Sequence, residues 1–264
     1  MPESHWRFLI VDGLNVVRRI HEANPAPESP DKGAMTLRNS LGSIRRLLRE
    51  VQPTHMLLAF DAPGPNWRHE AVPGYDKERK PMPTSLAAVM PQLYDELRLA
   101  GYMLIAPVNV EADDTIATAA LRARARGIDT VICSTDKDLT VLLAQGARIR
   151  DHFSSTWRDL DWCMAKFGVT PQKIPDLLAL WGDKVDGIAG VPGVGAKTAA
   201  KLLNEYGLLE DVLEAAAAGR IGGKLQAALV NHREQARTAR ILTSLKTDVA
   251  LPSWTWRDLQ LPST

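Results

Sequence analysis

The chain has 264 residues, 45% hydrophobic and 24% charged, with a formal net charge of +1. That length supports a real hydrophobic core in one large domain or two small ones, and the composition excludes disorder, collagen and coiled coil as the dominant state. Two cysteines, Cys133 and Cys163, cannot build a disulfide framework, and no apolar run approaches bilayer-spanning length, so a reducing cytoplasm and no membrane are expected. The first seven residues lack the apolar stretch and cleavage site of a signal peptide.

Residues 7–12 read as a buried strand ending at Asp12, followed by Gly13, Asn15 and a short helical stretch. Residues 24–33 hold three prolines and a glycine, which predicts a loop. Met35, Leu37, Leu41, Ile44, Leu47, Leu48 and Val51 recur at helical spacing with arginines on the other face, and Pro53 ends that helix. Residues 55–61 form a second buried strand that also ends at an aspartate. Residues 62–83 carry five prolines, two glycines and many charges, so a flexible excursion outside the core is expected. Residues 84–100 read as helix and 102–106 as strand. Glu111-Ala-Asp-Asp114 opens a helix running to Arg126, with acids at its positive end. Residues 129–134 form another buried strand, followed directly by Asp136 and Asp138, and 147–150 one more. This alternation predicts an α/β fold with a mainly parallel sheet flanked by helices. From about 160 helices, glycine turns and alanine-rich stretches take over. The expected division is therefore 1–160 and 161–264, the second part helical, with a packed tail from Leu251.

Nine of the 31 acids fall in short clusters: Asp12, Asp61, Glu111, Asp113, Asp114, Asp136, Asp138, Asp183 and Asp186. The other 22 stand against 32 bases, so if the clusters hold divalent cations the remaining surface is basic and suits a polyanion. Scattered solvated loops are the alternative. In open α/β sheets ligands collect at the carboxyl ends of strands, where most of these acids lie. Burying so many like charges together without cations costs heavily in repulsion and desolvation. The candidate ligands are all oxygens, with no His or Cys at ligand spacing, which favours Mg²⁺ or Mn²⁺ over zinc. A pair of such ions suits phosphodiester cleavage. Taken singly, Asp12 could be a turn residue, Asp61 a cap before Pro63 and Asp113 a helix-start acid. Together they make that reading poor. Asp183 and Asp186, three apart, would face the same way on a helical turn.

Residues 190–198 (Gly-Val-Pro-Gly-Val-Gly-Ala-Lys-Thr) open an apolar helix. A P-loop would need Gly195 next to Lys197, and Ala196 separates them; a dinucleotide fingerprint would need a strand before the loop and a glycine at Thr198. A helix–hairpin–helix fits better, with backbone N–H groups at the helix start and Lys197 holding a phosphate without reading sequence. A plain hairpin turn is the alternative.

Taken in order, Leu9-Ile-Val-Asp-Gly-Leu-Asn15, Phe60-Asp61, Trp67-Arg-His69, Glu111-Ala-Asp-Asp114, Ser134-Thr-Asp-Lys-Asp138, Gly182-Asp-Lys-Val-Asp186 and the 190–198 loop resemble the 5′-nuclease (flap endonuclease) superfamily. That superfamily includes the 5′ nuclease domain of bacterial DNA polymerase I and stand-alone Xni-type flap endonucleases. The resemblance covers nearly the whole chain. It implies a PIN-like domain joined to a helix–three-turn–helix domain and a catalytic site for two Mg²⁺ ions, with Mn²⁺ as a substitute. Asp12, Asp61, Glu111, Asp113 and Asp114 match the first metal cluster; Asp136, Asp138, Asp183 and Asp186 match the second. Val17-Arg-Arg-Ile-His21, Lys80-Pro-Met-Pro83 and Arg148-Ile-Arg-Asp151 look Xni-type, whereas the full second cluster looks polymerase-type.

The Xni-type resemblance also implies a K⁺ site of backbone carbonyls from Leu180, Trp181, Ala189, Val191 and Val194. The 62–83 loop corresponds to the family's arch over a single strand, with Arg68, Tyr75 and Arg79 at its basic and aromatic positions. The family's lysine after the tyrosine is Asp76 here, with Lys77 and Lys80 nearby. Gly193, Val194, Gly195, Ala196, Lys197 and Thr198 would hold duplex DNA. Lys137, between two acids, either steadies a phosphate or sits on the surface. The implied substrate is flapped, branched or 5′-ended DNA, cut by a monomer with any repair polymerase acting in trans. A non-catalytic DNA-junction binder, a PIN-type ribonuclease and, more weakly, a nucleotide phosphatase are the competing readings.

Overall fold

The computed structural model describes residues 6–75 and 81–262. Arg79, Asp76, Lys77 and Lys80 lie outside the described residues. The strand β1 (Arg7–Asp12) occupies the middle of a six-stranded sheet, and Phe8 to Val11 are wholly buried. Beside it lie β2 (His55–Ala59) and then β3 (Met103–Ile105) on one side. On the other side come β4 (Asp129–Cys133), β5 (Arg148–Asp151) and β6 (Thr156–Arg158). The first five run parallel; β6 returns antiparallel to β5. The expected α/β sheet is therefore present, with β6 an addition that three residues of sequence gave no signal for.

Alternation along β1 divides the core between the two faces. Phe8 and Ile10 join Leu57, Ile116 and Ile132 on one face, while Leu9 and Val11 join Val16, Ile44 and Leu86 on the other. The second face is covered by α1 (Gly13–Ala23), α2 (Pro30–Val51) and α4 (Thr84–Leu99). The first is covered by α5 (Ala112–Arg124) and by helices of the C-terminal part. The chain moves outward from β1 to β2 and β3, then crosses through α5 to β4 on the opposite side of β1. The strand order thus reverses between β1 and β4, which is where a doubly wound sheet opens a crevice.

Two stretches differ from expectation. The 24–33 loop is shorter than its prolines suggested, because Pro30 starts α2 and the Ser29 hydroxyl accepts from Lys32 N at 3.3 Å; proline is well suited to a first helical turn, where no intrahelical partner exists for its missing N–H. The 62–83 excursion is not wholly outside the core. It contains α3 (Trp67–Ala71), capped by Asn66, and both Arg68 and Tyr75 are buried.

The C-terminal part holds α6 (Leu160–Phe167), α7 (Ile174–Trp181), α8 (Ala196–Tyr206), α9 (Leu209–Ala217), α10 (Gly223–Asn231) and α11 (Arg233–Leu242). Between α7 and α8 a two-stranded ribbon forms from β7 (Gly182–Asp183) and β8 (Ile188–Ala189). Asp183 and Asp186 therefore sit on a ribbon and its turn rather than on a helical turn. Gly182, at φ +88°, ends α7 in a backbone region that favours glycine. A Cβ on Gly190 would lie 2.3 Å from Gly182 N, so the ribbon can close only without a side chain there. The tail does pack as an extension: Met56 N donates to Leu259 O at 2.8 Å, and Trp256 meets Phe8 edge-on at 5.3 Å.

Candidate active site

At the carboxyl ends of β1, β2 and β4 the structure opens a cavity of about 570 Å³. Seven acids from the sequence clusters line it: Asp12, Asp61, Glu111, Asp113, Asp136, Asp138 and Asp186. Each is fixed by the element it ends or begins. Asp12 closes β1 and caps α1, its Oδ1 accepting from Asn15 N at 3.2 Å and its Oδ2 from the buried Ser134 hydroxyl at 2.7 Å. Asp61, two residues beyond β2, accepts from Ala112 N at 2.7 Å and so ties that exit to the start of α5. Glu111 precedes α5 and Asp113 lies in its first turn. Asp136 Oδ1 accepts from Asp138 N at 2.9 Å, which ties the two acids together in the loop after β4 at the cavity wall. Asp183 comes in from the ribbon, and carboxylate oxygens of Asp138, Asp183 and Asp186 lie within 4.8 Å of one another.

The electrostatic result is strained in the absence of cations. Burial, then the Asp136 and Asp61 charges, push Asp12 up from 3.8 to about 7 against the Ser134 and Asn15 hydrogen bonds. Burial and the charges of Asp136, Asp12, Asp138 and Glu111 hold the Asp113 carboxyl well above the usual range. Burial and Asp136 do the same for Asp138, with Asp186 and Asp183 adding to the shift and Lys137 opposing it. Asp138 Oδ1 is buried without a hydrogen-bond partner among the described residues. Protons or cations must therefore balance these groups, and an all-oxygen donor set fits hard divalent cations. Lys137 is not a free surface cation: its Nζ is ion-paired with Asp183.

An acid whose folded pKa lies above its unfolded value stabilises the fold only while it is protonated. The Asp12 contribution is therefore complete below about 4 and gone once the pH passes about 7. The melting temperature of chelator-treated protein is expected to fall between about pH 4 and pH 7, and saturating Mn²⁺ to flatten that slope. A melting temperature that rises over the same interval without metal would contradict the buried acid cluster.

Asp114 is placed differently. It is completely buried and lines no part of the cavity. Its Oδ2 accepts from Trp67 Nε1 at 2.7 Å and Arg68 at 2.8 Å, and its Oδ1 from Arg68 at 3.1 Å and Lys246 N at 2.8 Å. Arg68, expected to present its charge to a DNA strand, is 3% exposed. Besides Asp114 it donates to Glu111 Oε2 at 2.7 Å, Leu242 O at 2.9 Å and Ser244 O at 2.8 Å. Burial opposes its charge, but Glu111 and Asp114 outweigh that and keep it protonated. Tyr75 stands on the cavity wall with its ring edge-on to His69 at 5.3 Å.

Beyond the ribbon, Gly193 turns at φ +80° and Gly195 precedes α8, with Lys197 exposed in the first turn. The residues with the implied carbonyl ligands are grouped around this hairpin. Leu180 O accepts from Val191 N at 2.8 Å, Val191 O accepts from Val194 N at 3.0 Å, and Ala189 pairs with Gly182 beside Trp181. A carbonyl oxygen has two lone pairs, so these bonds leave room for a cation.

Sequence reasoning placed Arg18 and Arg19 in an Xni-type stretch but gave them no role in the site, where they join the carboxylates at the cavity wall. Arg19 donates to Thr135 Oγ1 at 3.1 Å and its guanidinium lies 4.9 Å from the Phe153 ring centre. Their signal was helical spacing: residues 18 and 19 are three and four beyond Asn15 and share its face of α1. Asn15 itself accepts from Thr135 N at 3.2 Å and so joins α1 to the loop after β4.

A family model described as 5′-3′ exonuclease, N-terminal resolvase-like domain, matches residues 7–168, and one described as 5′-3′ exonuclease, C-terminal SAM fold, matches residues 169–264. The flap endonuclease Xni of Cronobacter sakazakii is 37% identical over 246 residues, covering 92% of this chain and 94% of that protein. The flap endonuclease Xni of Aeromonas hydrophila subsp. hydrophila is 35% identical over 263 residues, covering 99% and 97%. Among solved structures, a bacteriophage T5 flap endonuclease in a pseudo-enzyme–product complex with DNA and metal ions superposes with a TM-score of 0.74 at 21% identity, covering 91% of this chain and 90% of that one. The catalytic core of Rad2 in complex with DNA substrate gives 0.61 at 16% identity, covering 98% and 86%. These likenesses share the fold, and the matches to both family models place this chain in the 5′-3′ exonuclease family.

Proposed function

We propose that this chain is a structure-specific 5′ nuclease, a hydrolase of DNA phosphodiester bonds at flaps, branches or 5′ ends. The observation that carries this reading is the meeting of acids from five separated segments in one cavity beside a helix–hairpin–helix. Asp12, Asp61, Glu111 and Asp113 would hold one divalent cation, and Asp138, Asp183 and Asp186 another, with Asp136 between them. Mg²⁺ is the expected ion and Mn²⁺ its substitute. Bound there, the ions would supply Lewis acidity to a phosphate and lower the pKa of a nearby water.

The chain's own groups do the rest. The carboxylates fix the ions, and the Ser134 hydroxyl keeps Asp12 oriented. Arg18, Arg19, Lys137 and Lys184 offset the negative charge that would otherwise repel a phosphodiester from the cavity. Gly193 to Thr198, with Lys197, hold a duplex phosphate at the start of α8 and read no base. A K⁺ ion on the carbonyls of Leu180, Trp181, Ala189, Val191 and Val194 would add charge to that contact. Tyr75, with Arg79, would guide the 5′ strand. The chain is read as a cytoplasmic monomer, dividing near residue 160, with any repair polymerase supplied in trans. Among the described residues no helix is long and apolar enough to cross a membrane.

The test is cleavage of matched flap, nicked and single-stranded DNA in Mg²⁺, with chelator and an RNA flap alongside. Cutting of the DNA flap only when Mg²⁺ is present is expected. Flap binding without cutting would replace this reading with that of a junction binder, and preference for the RNA flap with that of a ribonuclease.

A further inference from the structure

Asp113 and Asp114 are adjacent in sequence but consecutive side chains on a helix point about 100° apart. One faces the cavity; the other is enclosed by four donors. A carboxylate whose two oxygens already accept from Trp67 Nε1, Lys246 N and both ends of the Arg68 fork has no lone pair directed at the cavity. Arg68 in turn has five N–H groups, and the structure engages all five: two on Asp114, one on Glu111, and one each on Leu242 O and Ser244 O at the end of α11. Its guanidinium lies 4.4 Å from the centre of the Trp67 ring, and Lys246 Nζ lies 4.3 Å from it.

On the cavity side, which Arg68 itself lines, the network reaches the carboxylate of Glu111. Its Oε2 takes the Arg68 N–H and its Oε1 accepts from Asn66 Nδ2 at 2.5 Å. Neither donor can shift freely, since Arg68 is clamped by Asp114 and α11 while Asn66 caps α3. We infer that Arg68 and Asp114 form a buried strut that presets the Glu111 carboxylate, making Asp114 a positioning residue that sets how tightly the cavity binds divalent cations. This rests on the reading that the cavity holds such ions. A ligand carboxylate fixed beforehand loses less freedom when the ion arrives, and partners one bond removed from a ligand commonly tune affinity by about 10- to 100-fold. The strut also joins the start of α5 to the end of α11, so the helical part helps set the cavity's geometry.

The experiment is Mn²⁺ binding to the full chain without DNA, read by electron paramagnetic resonance of free Mn²⁺. Parent, Asp114→Asn and Trp67→Phe are compared, each checked for folding by its circular dichroism. Asp114→Asn should bind as many ions at saturation as the parent, with affinity lower by about 10-fold, the low end of that range, because Asp114 acts on Glu111 through Arg68. Trp67→Phe removes one donor of four and should shift affinity the same way by less. Flap cleavage by both should recover as Mn²⁺ is raised, with KM for DNA unchanged. One ion fewer at saturation would make Asp114 a ligand and overturn the strut. Unchanged affinity in folded Asp114→Asn would overturn it too; should that variant unfold, unchanged affinity in Trp67→Phe would do so. A parent that binds no Mn²⁺ would remove the reading beneath the inference, and the inference with it.

Discussion

Replacing Asp113 with asparagine is expected to reduce flap cleavage by about 10³-fold or more, because on the proposed reading the ions it would help hold would supply several kcal/mol of charge stabilisation, and each ~1.4 kcal/mol is a factor of ten. The same change is expected to raise the melting temperature of the metal-free protein at pH 8. Asp113 is surrounded by Asp136, Asp12, Asp138 and Glu111, and burial and those charges hold its carboxyl well above the ordinary range. Ionising it in that setting costs folding free energy; asparagine keeps the shape and removes the charge. Saturating Mn²⁺ should reverse the order of the two proteins, stabilising the parent more. Opposite signs in activity and metal-free stability identify a group retained for chemistry. A variant less stable than the parent under chelator would mean that Asp113 is a structural acid.

Arg68→Met is expected to lower stability by about 3–5 kcal/mol, because removing one partner strands a buried charge. For a chain of this size that corresponds to a fall of about 10 °C in melting temperature. Asp114 would be left wholly buried with its cation gone, and the carbonyls of Leu242 and Ser244 would each lose a donor. The double variant Arg68→Met with Asp114→Asn should lose less than the sum of the single changes, since the second substitution neutralises the charge that the first exposes. Thermal melts of the four proteins measure this. A single-variant shift below about 2 °C, or strict additivity, would show that the buried pair is not coupled as described.

Much of the fold was legible because the decisive signals are local. Short apolar runs ending at Asp12 and just before Asp61 marked strands, and the acids after them marked the rim where the cavity lies. Convergence was legible too, since a parallel sheet brings its carboxyl ends to one side. What the sequence concealed depended on direction and on pairing at long range. Asp113 and Asp114 read alike until their places around α5 are known, and the two carbonyls that accept from Arg68, at the end of α11 and just beyond it, lie 174 and 176 residues away. The charges and prolines of 62–83 signalled solvent, but a charge satisfied on every donor can be buried. Gly182 carried the information that α7 ends there, yet two acids three residues apart suggested a continuing helix. Arg18 and Arg19 stood out only as part of a family-like stretch, and nothing local showed that they face the carboxylates.

The most direct measurement is diffraction from Mn²⁺-soaked crystals, using the anomalous signal of the metal. Peaks are expected inside the cavity, against Asp12, Asp61, Glu111 and Asp113 and against Asp138, Asp183 and Asp186, with none on Asp114. A saturating soak that leaves no peak among these carboxylates would contradict a shared site for divalent cations.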